Sequence, residues 1–186
     1  MNLNMNMGGV LSDSDIRSLY SEGQLIVSEL DDKQIQPNSL DLTLSGKYKT
    51  IRPNKWIFHH LALDPREEME YDDHEFSTED MAIGYSADSE MVKSEQRYLR
   101  IEPQQFLILG TNEILDVPNG ICGVIQGRSS IGRMGLQITQ AGFIDSGFHG
   151  SPTLQVFNQS PFPIYLYEGM RICQIVFYRS SLSEVQ

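Results

Sequence analysis

The chain has 186 residues, the size of one domain, and it is long enough to bury a core without disulfides or metals. Its formal net charge of −11 argues against a non-specific nucleic-acid binder, because phosphates require Lys and Arg. No apolar run approaches the ~20 residues that cross a bilayer, and residues 1–10 lack the features of a secretory signal. We therefore expect a single domain over residues 1–186, located in the cytoplasm (or the host cytoplasm if viral), with no nucleic-acid or membrane partner.

The negative charge is concentrated in the middle of the chain. Residues 64–96 carry 12 acidic and 2 basic side chains, which account for −10 of the total. Such a segment is either a cation-binding surface or lid, or a solvated insertion, and we favour the insertion, at about residues 60–98. His59, His60 and His74 flank these acids without the spacing of a zinc site, so we predict surface histidines and no protein-bound metal.

The first predicted element is a helix near the N-terminus. Ser12 or Ser14 can cap it, apolar residues follow at helical spacing, and Gly23 can end it. A short strand is predicted at residues 25–27, followed by a turn at 36–39. Leucines then alternate with polar residues from 40 to 44, which predicts a strand with one buried face.

The second half of the chain is predicted to be mostly β. Short β-rich runs are separated by Gly, Pro and Asn, and no long helical pattern follows residue 24. Cys122 and Cys173 lie in apolar runs, which predicts two buried, free thiols. Residues 51–100 give no clear pattern. The fold class is therefore mostly β, as a distorted barrel or jelly roll with one N-terminal helix. The predicted strands are residues 105–109, 120–126, 153–157, 164–167 and 172–178.

A loop at residues 127–135 is the first candidate for chemistry. Its glycines allow a close backbone approach to a ligand, its serines add donors, and its two arginines match phosphate oxygens. A plain turn with exposed arginines accounts for the local pattern equally well. The residues concerned are Arg128, Ser129, Ser130 and Arg133.

Two further polar residues stand out from apolar surroundings. Asp145 is the only carboxylate between Asp116 and Glu168, and it lies among glycines and aromatics. It suits a general base for water or a hydroxyl acceptor, and equally a residue that caps a β-turn. Arg171 opens a buried strand, where it forms either an ion pair, with Asp41 or Asp145, or a ligand contact.

Four motifs in order give the sequence a resemblance to a known family. Residues 36–42, 127–130, 141–150 and 169–174 resemble the dCTP deaminase/dUTPase superfamily, and the closest likeness is to dCTP deaminases and bifunctional dCTP deaminase–dUTPases. The opening at residues 11–16 is typical of that branch. The resemblance implies the dUTPase-like β-clip, a distorted β-barrel or jelly roll, assembled as a homotrimer with active sites between subunits.

The same resemblance implies a role for each matching residue. The arginines and serines of the loop would hold a deoxypyrimidine triphosphate or order water beside it, Gln174 would contact phosphate, and Mg²⁺ would bind mostly through the triphosphate. Asp145 would face the deoxyribose and help to activate the water that attacks the α-phosphorus. The backbone that would read the pyrimidine edge belongs to Ala141, Gly142 and Phe143.

One departure from the family pattern bears directly on activity. The family's deaminases carry a catalytic Glu where this chain has Gln155, and an amide cannot shuttle protons at neutral pH. Residues 180–186 also lack the glycine or aromatic of the family's closing tail. We favour hydrolysis of dUTP to dUMP and pyrophosphate, with Asp145, Ser129, Arg133 and Gln155 in the catalytic set. The alternatives are a dCTP deaminase or bifunctional enzyme with its Glu replaced, and a non-catalytic nucleotide-binding regulator.

Overall fold

The structure, a computed structural model, describes residues 9–53, 55–57, 60–85, 91–139 and 142–180. In these ranges no helix is long and apolar enough to cross a membrane. The helices are α1 (Asp13–Ser21), a 3-10 turn (Asp32–Gln34) and α2 (Ser129–Gly132). The strands are β1 (Ile26–Val27), β2 (Ile35–Gln36), β3 (Ser39–Arg52), β4 (Lys55–Ile57), β5 (His60–Ala62), β6 (Glu70–Glu75), β7 (Ser77–Tyr85), β8 (Met91–Ile101), β9 (Phe106–Thr111), β10 (Leu115–Asp116), β11 (Ile121–Gly127), β12 (Leu136–Thr139), β13 (Phe143–Ile144), β14 (His149–Gly150), β15 (Thr153–Asn158), β16 (Ile164–Tyr167) and β17 (Arg171–Arg179).

The N-terminal helix forms as predicted, with Ser12 as its cap. The Ser12 hydroxyl accepts from the backbone N–H of Asp15, and the Asp15 carboxylate accepts from the Ser12 N–H, so two otherwise unpaired donors are satisfied. Ile16 and Leu19 are buried against the sheet. Gly23 follows the helix with φ +68°, the left-handed conformation that ends helices.

Strand β3 is the centre of the largest sheet. Among the described residues this sheet has nine strands, in the order β12-β15-β9-β3-β17-β11-β13, with β2 and β6 also paired to β3. The sheet curls, because strands near the two ends of the strand order approach each other. A Cβ added at Gly127 on β11 would lie only 3.7 Å from the Cβ of Ile138 on β12. The predicted fold, mostly β with an N-terminal helix and a distorted barrel-like sheet, is confirmed.

The start of β3 is buried on both faces, which corrects the expectation of one buried face. Leu40, Leu42 and Leu44 enter the core as predicted, but Ser39 and Asp41 on the opposite face are also buried. Polar side chains from neighbouring strands cover that second face, and alternation alone does not reveal them.

The acidic segment, where the sequence gives no clear pattern, forms strands. Strand β6 pairs with β3 over six residues, and β7 and β8 form an antiparallel pair that continues to β16. Lys49 lies 3.3 Å from Asp73 and Arg52 lies 3.0 Å from Glu70, so basic residues of β3 offset part of the acidity of β6. Most of the described acidic side chains of this segment are exposed, as predicted, and they obscure the strand pattern because they occupy both faces.

Three side chains differ from their predicted exposure. Asp64 is buried rather than peripheral, because it accepts from the guanidinium of Arg66 at 2.7 Å and 2.9 Å. His74 is half-buried, since its ring stacks on Tyr48 with centroids 4.8 Å apart. Cys122 is only half-buried, because it lies on the less covered face of β11. The side chains of His59 and His60 and residues 181–186 lie outside the described parts.

Candidate active site

Three of the four sequence motifs meet in one cleft. The start of β3 lies beside β17, and β17 lies beside β11, so that Gln174 is in register with Asp41 on one side and Gln126 on the other. The cleft has a volume of about 410 Å³ and a mostly polar lining. Its lining residues are Gln36, Pro37, Asn38, Ser39, Asp41, Gly127, Arg128, Ser129 and Gln174.

A buried carboxylate forms the floor of this cleft. Asp41 is 1% exposed, and its Oδ2 lies 3.2 Å from Nη1 of Arg171 and 3.5 Å from Nη1 of Arg128. The ladder between β17 and β3 shifts register between Arg171 and Cys173, a bulge of the kind that redirects side chains. Arg171 was expected to form either an ion pair, with Asp41 or Asp145, or a ligand contact, and the structure contains the ion pair with Asp41.

Gln174 is oriented by a second buried residue of β3. The hydroxyl of Ser39 donates to Oε1 of Gln174 at 3.2 Å. With its oxygen engaged in this way, the amide of Gln174 keeps its NH₂ group for other acceptors. The cleft wall thus offers hydrogen-bond donors, as binding of an anionic group requires.

The loop that carries Arg128 is fixed at both ends. Ile131 is buried in the core, and the Gln159 N–H donates to the Gly135 carbonyl at 2.9 Å. Gly135 has φ +88°, and a Cβ there would lie 3.0 Å from Ser160 Cβ, so the loop closes only with glycine at this position. Ser129 lines the cleft, whereas Ser130 and Arg133 are exposed and do not line it.

Asp145 does not line the cleft of its own chain. It is exposed and begins a turn in which the Phe148 N–H donates to the Asp145 carbonyl at 3.2 Å. The preceding Ile144 is in register with Gly123, near the start of β11, whereas Arg128 follows the end of that strand. At ~3.3 Å per residue, Asp145 and Arg128 are about 15–20 Å apart along the strand.

The backbone predicted to read a pyrimidine lies beside β11. The Gly142 carbonyl accepts from the Ile125 N–H at 2.7 Å, and a Cβ on Gly142 would lie 2.9 Å from the Ile125 Cβ, so this approach requires glycine. Phe143 is 60% exposed, an uncommon position for an aromatic ring. Ala141 lies outside the described residues.

Gln155 occupies β15, in another part of the sheet. It is in register with Ile108 on β9 and with Thr139 on β12. Its side chain is half-buried and points away from the core face that Leu154 and Val156 form. It is therefore on the opposite face of the sheet from the hydrophobic core.

A buried acid that the sequence did not reveal contacts β3 outside the cleft lining. Glu113 is 3% exposed and accepts from the Thr43 hydroxyl at 2.6 Å, the Thr43 N–H at 3.0 Å and Nε2 of Gln34 at 2.7 Å. Burial raises the pKa of the Cys173 thiol, and the charges of Glu113 and Asp41 raise it further. Only the position of Glu113 beside a short apolar run could have indicated its burial. In the described residues no group of three His, Cys, Asp or Glu side chains is placed to hold a metal ion.

The family described as dCTP deaminase-like matches residues 10–180. The chain belongs to that family. The resemblance inferred from four motifs is thereby confirmed.

Curated relatives cover most of the chain. A protein of Sulfurihydrogenibium sp. (strain YO3AOP1), named "dCTP deaminase, dUMP-forming", is 37% identical over 168 residues, which cover 90% of this chain and 82% of the relative. A protein of the same name from Methanobrevibacter smithii is 32% identical over 170 residues, or 90% of this chain and 79% of the relative. This member of the dCTP deaminase-like family is thus similar over most of its length to proteins named as dUMP-forming dCTP deaminases.

A solved structure supports the fold. The 2′-deoxycytidine 5′-triphosphate deaminase of Agrobacterium tumefaciens superposes with a TM-score of 0.60 at 22% identity. The match covers 93% of this chain and 48% of that chain, so the chain spans about half of that protein's length. The names of the curated relatives favour the bifunctional alternative over a dUTPase alone.

Proposed function

We propose that this chain binds deoxypyrimidine triphosphates and hydrolyses dUTP to dUMP and pyrophosphate, as a relative of the dUMP-forming dCTP deaminases in which the hydrolytic step is retained. The observation that carries the proposal is the meeting of Arg128, Ser129 and Gln174 in one polar cleft. Such donors suit the oxygens of a triphosphate. The names of the relatives support dCTP as a substrate, whereas residue 155 argues against rapid deamination.

The hydrolytic step needs an oriented water and neutralised phosphates. In the proposed reaction, Asp145 accepts a proton from the water that attacks the α-phosphorus, and pyrophosphate leaves. Arg128 and the NH₂ of Gln174 stabilise the charge on the phosphate oxygens, with Ser129, Ser130 and Arg133 on the same loop. None of these roles depends on residue 155.

Deamination at C4 needs a group that takes a proton from water and delivers it to the ring. A carboxylate can do this, but the amide of Gln155 has no accessible proton equilibrium near pH 7. Gln155 can still hydrogen-bond a base edge, and its NH₂ can donate to O4 of uracil. We therefore propose that Gln155 favours binding of a uracil base and impairs the removal of ammonia from cytosine.

The distance between the two halves of the site supports a shared site. Asp145 and Arg128 lie near opposite ends of β11, about 15–20 Å apart. A single nucleotide contacts both residues more readily if they belong to different copies of the chain. We propose a homotrimer in which each site combines the cleft of one copy with Asp145 of another.

Magnesium fits this site as a companion of the substrate. The one buried carboxylate of the cleft, Asp41, is committed to Arg128 and Arg171, so it is not free to serve as a metal ligand. We propose that Mg²⁺ is held by the triphosphate oxygens, where it lowers the substrate's negative charge.

The proposal is tested by supplying dUTP and dCTP separately with Mg²⁺ and measuring pyrophosphate, ammonia and dUMP. We expect pyrophosphate and dUMP from dUTP, and little ammonia from dCTP. The change Gln155→Glu should raise ammonia release from dCTP by about 10²–10⁴-fold, the usual contribution of acid–base catalysis.

A matched control adds the same charge elsewhere on the sheet. Gln137 is exposed on β12, the strand that pairs with β15, and Gln137→Glu should leave ammonia release unchanged. If the unaltered chain deaminates dCTP as fast as Gln155→Glu does, the placement of Gln155 is wrong. Binding of dUTP without release of pyrophosphate would favour the non-catalytic regulator.

A further inference from the structure

Two polar residues of β3 are buried beneath the proposed triphosphate cleft. Ser39 is 7% exposed and Asp41 is 1% exposed, and they are two positions apart, so their side chains point to the same face of the strand. Neither lies in the hydrophobic core. Each contacts a residue of another strand or loop that we propose to bind phosphate.

Asp41 holds Arg128 from below. A buried carboxylate is costly unless it is paired, and Asp41 has Arg171 at 3.2 Å and Arg128 at 3.5 Å. These contacts with Asp41 use Nη1 of each arginine, and we assign the proposed phosphate contacts to the remaining N–H groups. Arg128 itself is mostly covered, at 27% side-chain exposure, so it has few alternative positions.

Ser39 acts on Gln174 in a similar way. A glutamine side chain can present either its oxygen or its NH₂ to the cleft, and only NH₂ attracts phosphate. The hydroxyl of Ser39 donates to Oε1 of Gln174 and thereby keeps the oxygen turned away from a ligand's oxygens.

We infer that Ser39 and Asp41 are positioning residues, which orient the amide of Gln174 and the guanidinium of Arg128 toward the triphosphate before it binds. The inference rests on the proposed function. It predicts that each acts only through its partner: Asp41 through Arg128, and Ser39 through Gln174.

The test is a pair of double-mutant cycles with calorimetric binding of two probes, the non-hydrolysable analogue dUpNHpp with Mg²⁺ and the phosphate-free nucleoside deoxyuridine. Asp41→Asn should weaken dUpNHpp about tenfold and deoxyuridine hardly at all. In the Arg128→Ala background, Asp41→Asn should cause less than about a twofold further loss. Ser39→Ala should weaken dUpNHpp about threefold, Ser39→Thr should restore it, and Ser39→Ala should have no further effect in Gln174→Ala.

A control separates positioning from loss of stability. Glu113 is buried to a similar degree beside the same strand, but it contacts Gln34 and Thr43 rather than the cleft arginines. Glu113→Gln should lower the midpoint of urea unfolding, as Asp41→Asn does, without changing the affinity ratio of the two probes.

The possible results are distinguishable. Additive losses in the cycles, or equal losses for both probes, would make Ser39 and Asp41 merely structural and overturn the inference. Tighter binding of dUpNHpp by Asp41→Asn would also overturn it, since Asp41 would then compete with phosphate. Failure of the unaltered chain to bind dUpNHpp would instead refute the proposed function, and the inference with it.

Discussion

If each site is shared between copies, two inactive variants should restore activity when they assemble together. One variant is Arg128→Ala, which removes the guanidinium of the cleft. The other is Asp145→Asn, which removes the proposed base at the far end of β11. Neither residue is in the hydrophobic core, so both chains should fold.

The size of the recovery follows from the proposed geometry. A working site needs Arg128 from one chain and Asp145 from its neighbour, about 15–20 Å apart when measured within one chain. In a random equal mixture each requirement is met half of the time. About a quarter of the sites should therefore be intact, against less than about 1% for either variant alone.

The assay is pyrophosphate release from dUTP after the two variants are unfolded, mixed and refolded together. Each variant refolded alone is the control, and light scattering reports whether the product is larger than the ~21 kDa chain. Recovery near one quarter would support sites built from two chains. No recovery from a mixed oligomer would refute the shared site, and a monomer with full activity in the unaltered chain would refute the trimer as well.

Two other predictions concern the cysteines and the cap of the N-terminal helix. Cys122 should react with an alkylating agent at pH 8 while Cys173 stays protected until unfolding, because burial and nearby carboxylates raise the pKa of the Cys173 thiol; equal labelling, read by mass spectrometry, would contradict this. The pKa of Asp15 is lowered by hydrogen bonds from the Ser12 backbone and hydroxyl, and by Arg179. The ionised Asp15 therefore stabilises the folded protein above the unfolded pKa of about 3.9, and this stabilisation is lost as pH falls through the folded pKa. Asp15→Asn should cost about 0.5–1 kcal/mol in urea unfolding at pH 7 and much less at pH 3, and an equal cost at both would refute the pH dependence.

Those parts of the fold that depend on local patterns could be predicted from the sequence. The helix followed from a Ser cap, helical spacing and Gly23, and the strands near residues 105–109, 153–157 and 172–178 followed from alternation between turn residues. Strand β6 could not be predicted, because acidic residues on both faces hide the period of two, and the sequences of β7 and β8 gave no clear pattern. Their stability comes from pairing with β3 and β16, which are distant in the sequence.

The site was predictable as a set of motifs but not as an arrangement. Arg128, Ser129 and Gln174 meet as the resemblance implies, whereas Asp145 and Gln155 lie elsewhere in the same chain. A motif gives residue types in order, and the sheet order decides which of them become neighbours. The burial of Asp41 between two arginines depends on a bulge in β17, for which the sequence carries no local signal.

The placement of charge along β3 is compatible with the proposed binding of an anionic substrate by an acidic chain. The strand begins under the cleft, at Asp41, and ends beside the acidic strand β6, where Lys47 to Arg52 pair with Glu70 to Glu75. Six or more residues separate the two regions, or about 20 Å, and the Debye length at physiological ionic strength is only about 8 Å. The carboxylates of β6 are therefore screened from the triphosphate, and basic residues of β3 offset part of their charge. At the cleft itself Arg128 and Arg171 lie beside Asp41, so the proposed phosphate contacts are basic although the net charge of the chain is −11.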